Sequence, residues 1–328
     1  MAAITIKSLA EMAGVSYATV SLALNDDPRV AEKTKNKIQK LAKELNYVPN
    51  NFGRALQSNK SRLVGYLIPN ITGSFLVDIL QGIGSAATRR NYGLLVAIAD
   101  IDSKMEEQIE LFREKRVDGI IASCSSDNLM KRLSELGRNG IPTVLASSEN
   151  AKKSFPLVLT DNVEGGRIAA EHLIGYGHRK ILYAFSSDTK DSSKYDRLQG
   201  VRKALRAHHM PDAMTVSSTE ELFRVLSGRE RPTGIVCYSD YEAAIVQSVA
   251  RKAGLRVPQD VSITGFDDSR TASLPEYNLT TVAQAKTQIG EIAFEMLLRR
   301  INGEQVESVR LKPEIVIRGS TTRIKKAV

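Results

Sequence analysis

The chain has no tryptophan, and only two cysteines and four histidines in 328 residues. Cys124 (IIASCSS) and Cys237 (GIVCYSD) each lie in an apolar setting, which suits two buried thiols and argues against a disulfide-stapled scaffold. His172, His178, His208 and His209 show no metal-ligand spacing with cysteine or with a pair of carboxylates, so no metal site is expected. No run of about 18 apolar residues occurs, which leaves no candidate membrane span. The opening MAAITIKSLAEMAG lacks the apolar core and small-residue cleavage site of a secretory leader, so a cytoplasmic location is expected. GxSxG, P-loop and HExxH motifs are missing as well. GIGSAA at 82–87 fits GxGxxA formally. It follows FLVDILQ within a helical pattern, however, where its glycines would let helices approach closely, and no cofactor is expected. An enzyme on the same scaffold would have to show itself by turnover.

What is present begins with charge. The net charge is +9, and residues 1–62 hold ten Lys or Arg against five Asp or Glu. Such a basic end attracts phosphates, although a solvated lysine-rich helix would read the same way. Within it, GVSYATVSLALN at 14–25 carries no charge at all. Ile6, Leu9, Ala10 and Ala13 have helical spacing, Thr5 can cap that helix, and Gly14 can end it. Ser16 is a ready cap for a second helix. Its inner face is Val20, Ala23 and Leu24, and its outer face is Tyr17, Ala18, Ser21 and Leu22. Val30, Ile38, Leu41, Leu45 and Tyr47 make the apolar side of a third helix. Two short helices joined at a glycine and braced by a third form a helix-turn-helix, whose second helix fits a DNA major groove. A three-helix bundle without a ligand shares this pattern. The uncharged stretch suits a helix pressed on base edges, with lysines around its rim.

From residue 63 the pattern becomes LVGYLIP, YGLLVAIA, VDGIIAS, IPTVLAS, KILYAF, TGIVCYS and VSITGF, most separated by helix-length segments. Apolar strands alternating with helices predict parallel sheets covered on both faces, and this length suggests two of them. Ligands of such sheets sit beyond the carboxyl ends of strands, where Asp267 follows VSITGF.

TIKSLAEMAGVSYATVSLALN, PRVAEKTKNKI and LNYVPN, followed by VGYLIPNITGSF, VDGIIAS, DNVEGGRIAAEHLIGYGHRKI, GFDD, LTTV and IRGS, resemble the lactose/galactose repressor family along nearly the whole chain. The resemblance implies an N-terminal all-α helix-turn-helix domain (1–48), a hinge helix and linker (49–61), and an α/β core (62–328). That core would consist of two parallel-sheet subdomains similar to periplasmic binding proteins. The first spans about 62–160 plus 288–318 and the second about 161–287, with crossings near 158–162 and 284–290 and a return near 318. Tyr17, Ala18 and Leu22 fall at the positions that choose the operator sequence. Ser16, Thr19, Ser21, Asn25 and Thr34 match backbone-contacting positions, Arg29 also reaches DNA, and Thr5 and Asn50 are expected among the DNA-binding residues. Leu56 matches a leucine wedged into the minor groove. Leu22 stands where many members have arginine, so weak guanine discrimination is expected there. Ala31 replaces a frequent serine cap.

For the core, the resemblance places Phe75, Asp161, Arg197, Ser239, Asp240 and Asp267 around a small-molecule effector. A saccharide is the first expectation, with a nucleobase or another metabolite as the alternative, since 214–219 offers no stacking aromatic. The implied partners are double-stranded operator DNA and a second copy of the chain. The tail TTRIKKAV lacks leucine heptads, which predicts a homodimer and no tetramer.

Overall fold

The computed structural model describes residues 4–47, 60–69, 71, 74–99, 102–123, 126–148, 154–186 and 192–324. The chain divides into two compact units, Met1–Ser61 and Arg62–Val328. Asn50, Leu56 and Cys124 lie outside the described residues.

The first unit holds helices α1 (Ile6–Ala13), α2 (Tyr17–Leu24) and α3 (Glu32–Glu44) around Leu9, Ala10, Ala13, Val20, Ala23, Val30, Ile38 and Ala42. Its local signals act as their chemistry requires. The Thr5 hydroxyl accepts the Ser8 backbone N–H at 3.2 Å, and the Ser8 hydroxyl accepts that of Thr5 at 3.1 Å, a reciprocal cap. Gly14 takes the left-handed φ of 70° that turns the chain between α1 and α2. Ala31 leaves α3 without a side-chain cap. One assignment of the amphipathic pattern is corrected. Leu22, expected on the outer face of α2, is half-buried against the core.

The second unit is two α/β lobes. The first has a parallel sheet ordered β11-β5-β4-β3-β1-β2, from Leu63–Ile68 (β1), Gly93–Ile98 (β2), Gly119–Ala122 (β3), Thr143–Ala146 (β4), Leu157–Thr160 (β5) and Val309–Leu311 (β11). In β1 the side chains alternate. Val64, Tyr66 and Ile68 join the core under α4 (Phe75–Arg89) and α11 (Lys286–Ile301), while Leu67 joins the one under α5 (Asp102–Glu114) and α6 (Asp127–Arg138). The second sheet is ordered β12-β10-β9-β8-β6-β7, from Ile181–Ala184 (β6), Met214–Val216 (β7), Gly234–Cys237 (β8), Ser262–Asp267 (β9), Thr280–Ala283 (β10) and Glu314–Val316 (β12). Among the described strands only β12 runs antiparallel to its neighbour. Its faces are covered by α7 (Asn162–Gly175) with α8 (Ser193–Ala207), and by α9 (Thr219–Ser227) with α10 (Asp240–Lys252).

The chain passes between lobes after Thr160, again between Ala283 and Lys286, and returns between Leu311 and Glu314, earlier than the expected 318. Among the described residues, each lobe contains a helix pair whose backbones touch at glycines. A Cβ on Gly82 of α4 would lie 2.0 Å from the Thr287 carbonyl oxygen of α11, and one on Gly166 of α7 would collide with the Arg197 carbonyl of α8. The first GIGSAA glycine therefore serves helix packing. Among the described residues no helix is long and apolar enough to cross a membrane.

Candidate functional site

In the helical unit, Tyr17 is 52% exposed and Ala18 is exposed at the start of α2, while Ser21 and Leu22 are half-buried. Ser16 caps α2 by accepting the Thr19 N–H at 3.1 Å, and the two hydroxyls lie 2.9 Å apart. Thr5, Ser16 and Thr19 thus spend a hydroxyl lone pair or proton on shaping their helices. Asn25 closes α2, and Thr34 sits half-buried in the first turn of α3. Arg29 is exposed and forked onto Asp27, its Nε and Nη2 donating to the two carboxylate oxygens at 2.9 and 2.8 Å. Those hydrogen bonds hold the Asp27 carboxyl down to about 2. Lys37 donates to the Ala13 carbonyl at 2.9 Å, which sets a cation at the negative end of α1. The result is a nearly neutral, exposed helix start with positive groups beside it.

The second site forms where β9 ends. Asp267 has φ 116° and Asp268 has φ 47°, two consecutive non-glycine residues in a region that L side chains rarely adopt. Such strain persists only where the surroundings over-determine it. Here Lys286 donates to the Asp267 and Asp268 carbonyls at 2.8 and 3.1 Å, Arg318 pairs with the Asp268 carboxylate at 2.7 Å, and the Ser269 N–H donates to Asp240 at 2.6 Å.

The Asp267 carboxylate itself is 18% exposed. Its Oδ1 accepts from Gln284 Nε2 at 2.7 Å and stands 3.9 Å from Arg197 Nη1, so among the described side chains it is Oδ2 that remains for a ligand. Burial pushes this carboxyl up to about 7; the Arg197 guanidinium opposes the shift and the Asp240 carboxylate adds to it. Arg197 is 5% exposed. Its guanidinium lies 3.7 Å from the Phe266 ring centroid and 4.7 Å from that of Tyr238, with Nε donating to Asn162 Oδ1 at 2.9 Å and Nη1 to the Tyr238 carbonyl at 2.5 Å. The α7–α8 contact at Gly166 sets the backbone that carries this side chain.

Two of the expected effector residues have their side chains engaged within the protein. Asp240 is 4% exposed, and its two oxygens accept from Thr281 Oγ1 at 2.5 Å and the Ser269 N–H at 2.6 Å. Burial raises its carboxyl, and these hydrogen bonds oppose the rise. It therefore braces the strained turn from behind. Ser239 caps α10 by accepting the Glu242 N–H at 3.1 Å. Asp161 stands at the first crossing, where its carboxylate caps α7 through the Glu164 N–H at 3.0 Å. Phe75 opens α4 and packs half-buried on the first lobe. Asp267 and Arg197 are brought together. Asn162, Tyr238, Phe266, Gln284 and Lys286, which complete the cluster, were not expected. Only Lys286 left a signal, since a cation in a helix's first turn opposes the macrodipole.

Comparison with known proteins places this geometry in a lineage. Residues 5–50 match the bacterial regulatory proteins of the lacI family, and residues 170–321 match the periplasmic binding protein-like domain. The HTH-type transcriptional repressor PurR of Vibrio atlanticus is 33% identical over 96% of this chain and 98% of its own length. The chain belongs to the LacI family. As a LacI-family protein it is a DNA-binding transcriptional repressor, and its relatives of this kind are not enzymes. Its fold matches the lac repressor dimer bound to operator and the anti-inducer ONPF, with a TM-score of 0.87, 24% identity, and coverage of 98% of this chain and 100% of that one. The regulator CelR in complex with cellobiose matches at TM-score 0.70 and 26% identity, covering 97% and 99%.

Proposed function

We propose that this repressor binds a near-palindromic operator as a homodimer, one α2 helix entering each half-site, and that a nucleobase-class effector at Asp267 controls the binding. One observation carries the effector reading. A strained carboxyl whose burial raises it to about 7 is held with Oδ2 available, beside a guanidinium that lies over the Phe266 and Tyr238 rings. A carboxyl near pH 7 can accept from a ring N–H or donate to a ring nitrogen or carbonyl, the mixed donor and acceptor pattern that a nucleobase edge presents. The PurR repressors are full-length relatives, whereas the cellobiose-bound CelR is more distant. That balance moves the effector from the saccharide first expected to a nucleobase.

The test is a thermal-shift panel of nucleobases, nucleosides and sugars on the full-length protein. A ligand at a hundred times its Kd stabilises by about 2.7 kcal/mol. A shift with nucleobases alone, lost in Asp267→Ala, supports the reading. A shift with sugars alone overturns it and leaves the DNA-binding function standing. Light scattering that returned a tetramer would refute the dimer.

A further inference from the structure

The crossover between β10 and α11 and the strained turn after β9 are built into one another. Gln284, on the crossover, holds the Asp267 carboxylate at 2.7 Å. Two residues on, Lys286 brings an ammonium with three N–H donors to three acceptors. They are the Asp267 carbonyl at 2.8 Å, the Asp268 carbonyl at 3.1 Å and Asp78 Oδ2 at 3.2 Å. The two carbonyls belong to the second lobe, and Asp78 lies in the first turn of α4 in the first lobe.

Both charged groups are nearly buried, Lys286 at 10% and Asp78 at 14% exposed, so their attraction is little screened by solvent. Nothing local favours a lysine here. It opens α11, where the helix macrodipole repels a cation, and α11 has no acidic residue in its first turn to offset it. The glycine contact between α4 and α11 holds the pair together. A Cβ on Gly82 would meet the Thr287 carbonyl, next to Lys286, and one on Gly290 would meet that of Ile79, next to Asp78. Arg270 adds an exposed second ion pair across the lobes, 3.8 Å from Asp78.

We infer that Lys286 is the positioning residue that couples the effector site to the first lobe, transmitting any displacement of the Asp267–Asp268 turn to α4 through Asp78. This inference rests on the proposed effector site at Asp267. A ligand on Oδ2 acts on a turn whose backbone is gripped by the same ammonium that holds α4. The turn therefore cannot relax without loosening or tightening the grip across the lobes. A ligand shifts the DNA-binding equilibrium only through such a differential interaction.

The test measures the Kd of the full-length protein for an operator selected from a random duplex pool, by fluorescence anisotropy, with and without saturating hypoxanthine, guanine or adenine. In the wild type a bound nucleobase is expected to change operator affinity by about tenfold or more. In Lys286→Met the ratio is expected to fall to within about twofold of one, a greater loss than any change in the nucleobase's own Kd. Lys286→Arg should keep part of the coupling. Asp78→Asn should lose it, and the double variant should lose no more than either single change.

A second arm needs no ligand and does not depend on one substitution folding well. Amide exchange at residues 75–79 and 284–286 is expected to accelerate about tenfold in Lys286→Met and in Asp78→Asn, without spreading to α5. If no nucleobase affects the wild type, the nucleobase reading fails and the exchange arm alone decides the role of Lys286. Full coupling in Lys286→Met, or unchanged exchange at 75–79 in both variants, overturns the inference.

Discussion

Replacing Asp267 with asparagine should make the protein more stable and less responsive at once, with a pH signature of its own. The native carboxyl is pushed up to about 7 by burial and by the neighbouring Asp240 carboxylate, against an ordinary value of 3.8 in the unfolded chain. Between those two values the native state binds more protons than the unfolded state, so each unit of rising pH takes about 1.4 kcal/mol from wild-type stability. Above about pH 7 the accumulated cost levels off at about 4 kcal/mol. Asparagine keeps the shape, carries no charge, and tolerates positive φ better than most residues. The stability advantage of Asp267→Asn should therefore be near zero at pH 4, grow through pH 5 and 6, and reach its plateau above 7. Urea denaturation of wild type and variant across pH 4 to 8 reads this directly. An advantage that is flat with pH, or that shrinks as pH rises, would refute the burial argument. The same variant should bind poorly any effector that donates to Oδ2, since with the amide oxygen held by Gln284 the NH2 that replaces Oδ2 can only donate. Gained stability with lost response is the usual sign of a strained functional site.

Three further outcomes follow from the packing and the caps. Gly82→Ala should cost about 3 kcal/mol or more in thermal stability, because its Cβ would stand 2.0 Å from a backbone oxygen; Gly84→Ala on the same helix meets nothing within 4 Å and should gain about 0.5–1 kcal/mol. Ala31→Ser supplies the hydroxyl cap that α3 lacks and should stabilise it by about 1 kcal/mol, seen as roughly fivefold slower amide exchange in α3. Binding-site selection should return no strict guanine opposite residue 22, and Leu22→Arg should introduce one, with discrimination of about 1–3 kcal/mol.

The helical unit was legible residue by residue because its determinants are local. Thr5, Gly14 and Ser16 act on atoms within four positions of themselves, and the apolar spacing of α1 needs no partner to be read. Leu22 departs from the expected outer face because α2 is apolar nearly all round, and its inner face is chosen by what α1 and α3 present. In the core, the seven long apolar runs appear as strands. Of the others, β7, β11 and β12 span only three residues each and depend on neighbours for their pairing, while β5 and β10 lie beside the crossings, where the local pattern does not delimit a strand. Asp267 could be named from its place after VSITGF.

What surrounds Asp267 could not be read in the same way. Asp240 is turned inward by Thr281, 41 residues away, and Arg197 is seated by Asn162, 35 residues away. Lys286 is given its purpose by a carbonyl 19 residues back and a carboxylate on another lobe. By itself, the sequence determined the capped helices, the alternation of strands and helices, and the lineage, since short-range spacing and hydrophobic period specify these. Only the tertiary structure decided which carboxylate keeps an oxygen open and which braces the turn. A buried charge takes its role from the donors that happen to fold around it, and those come from distant parts of the chain.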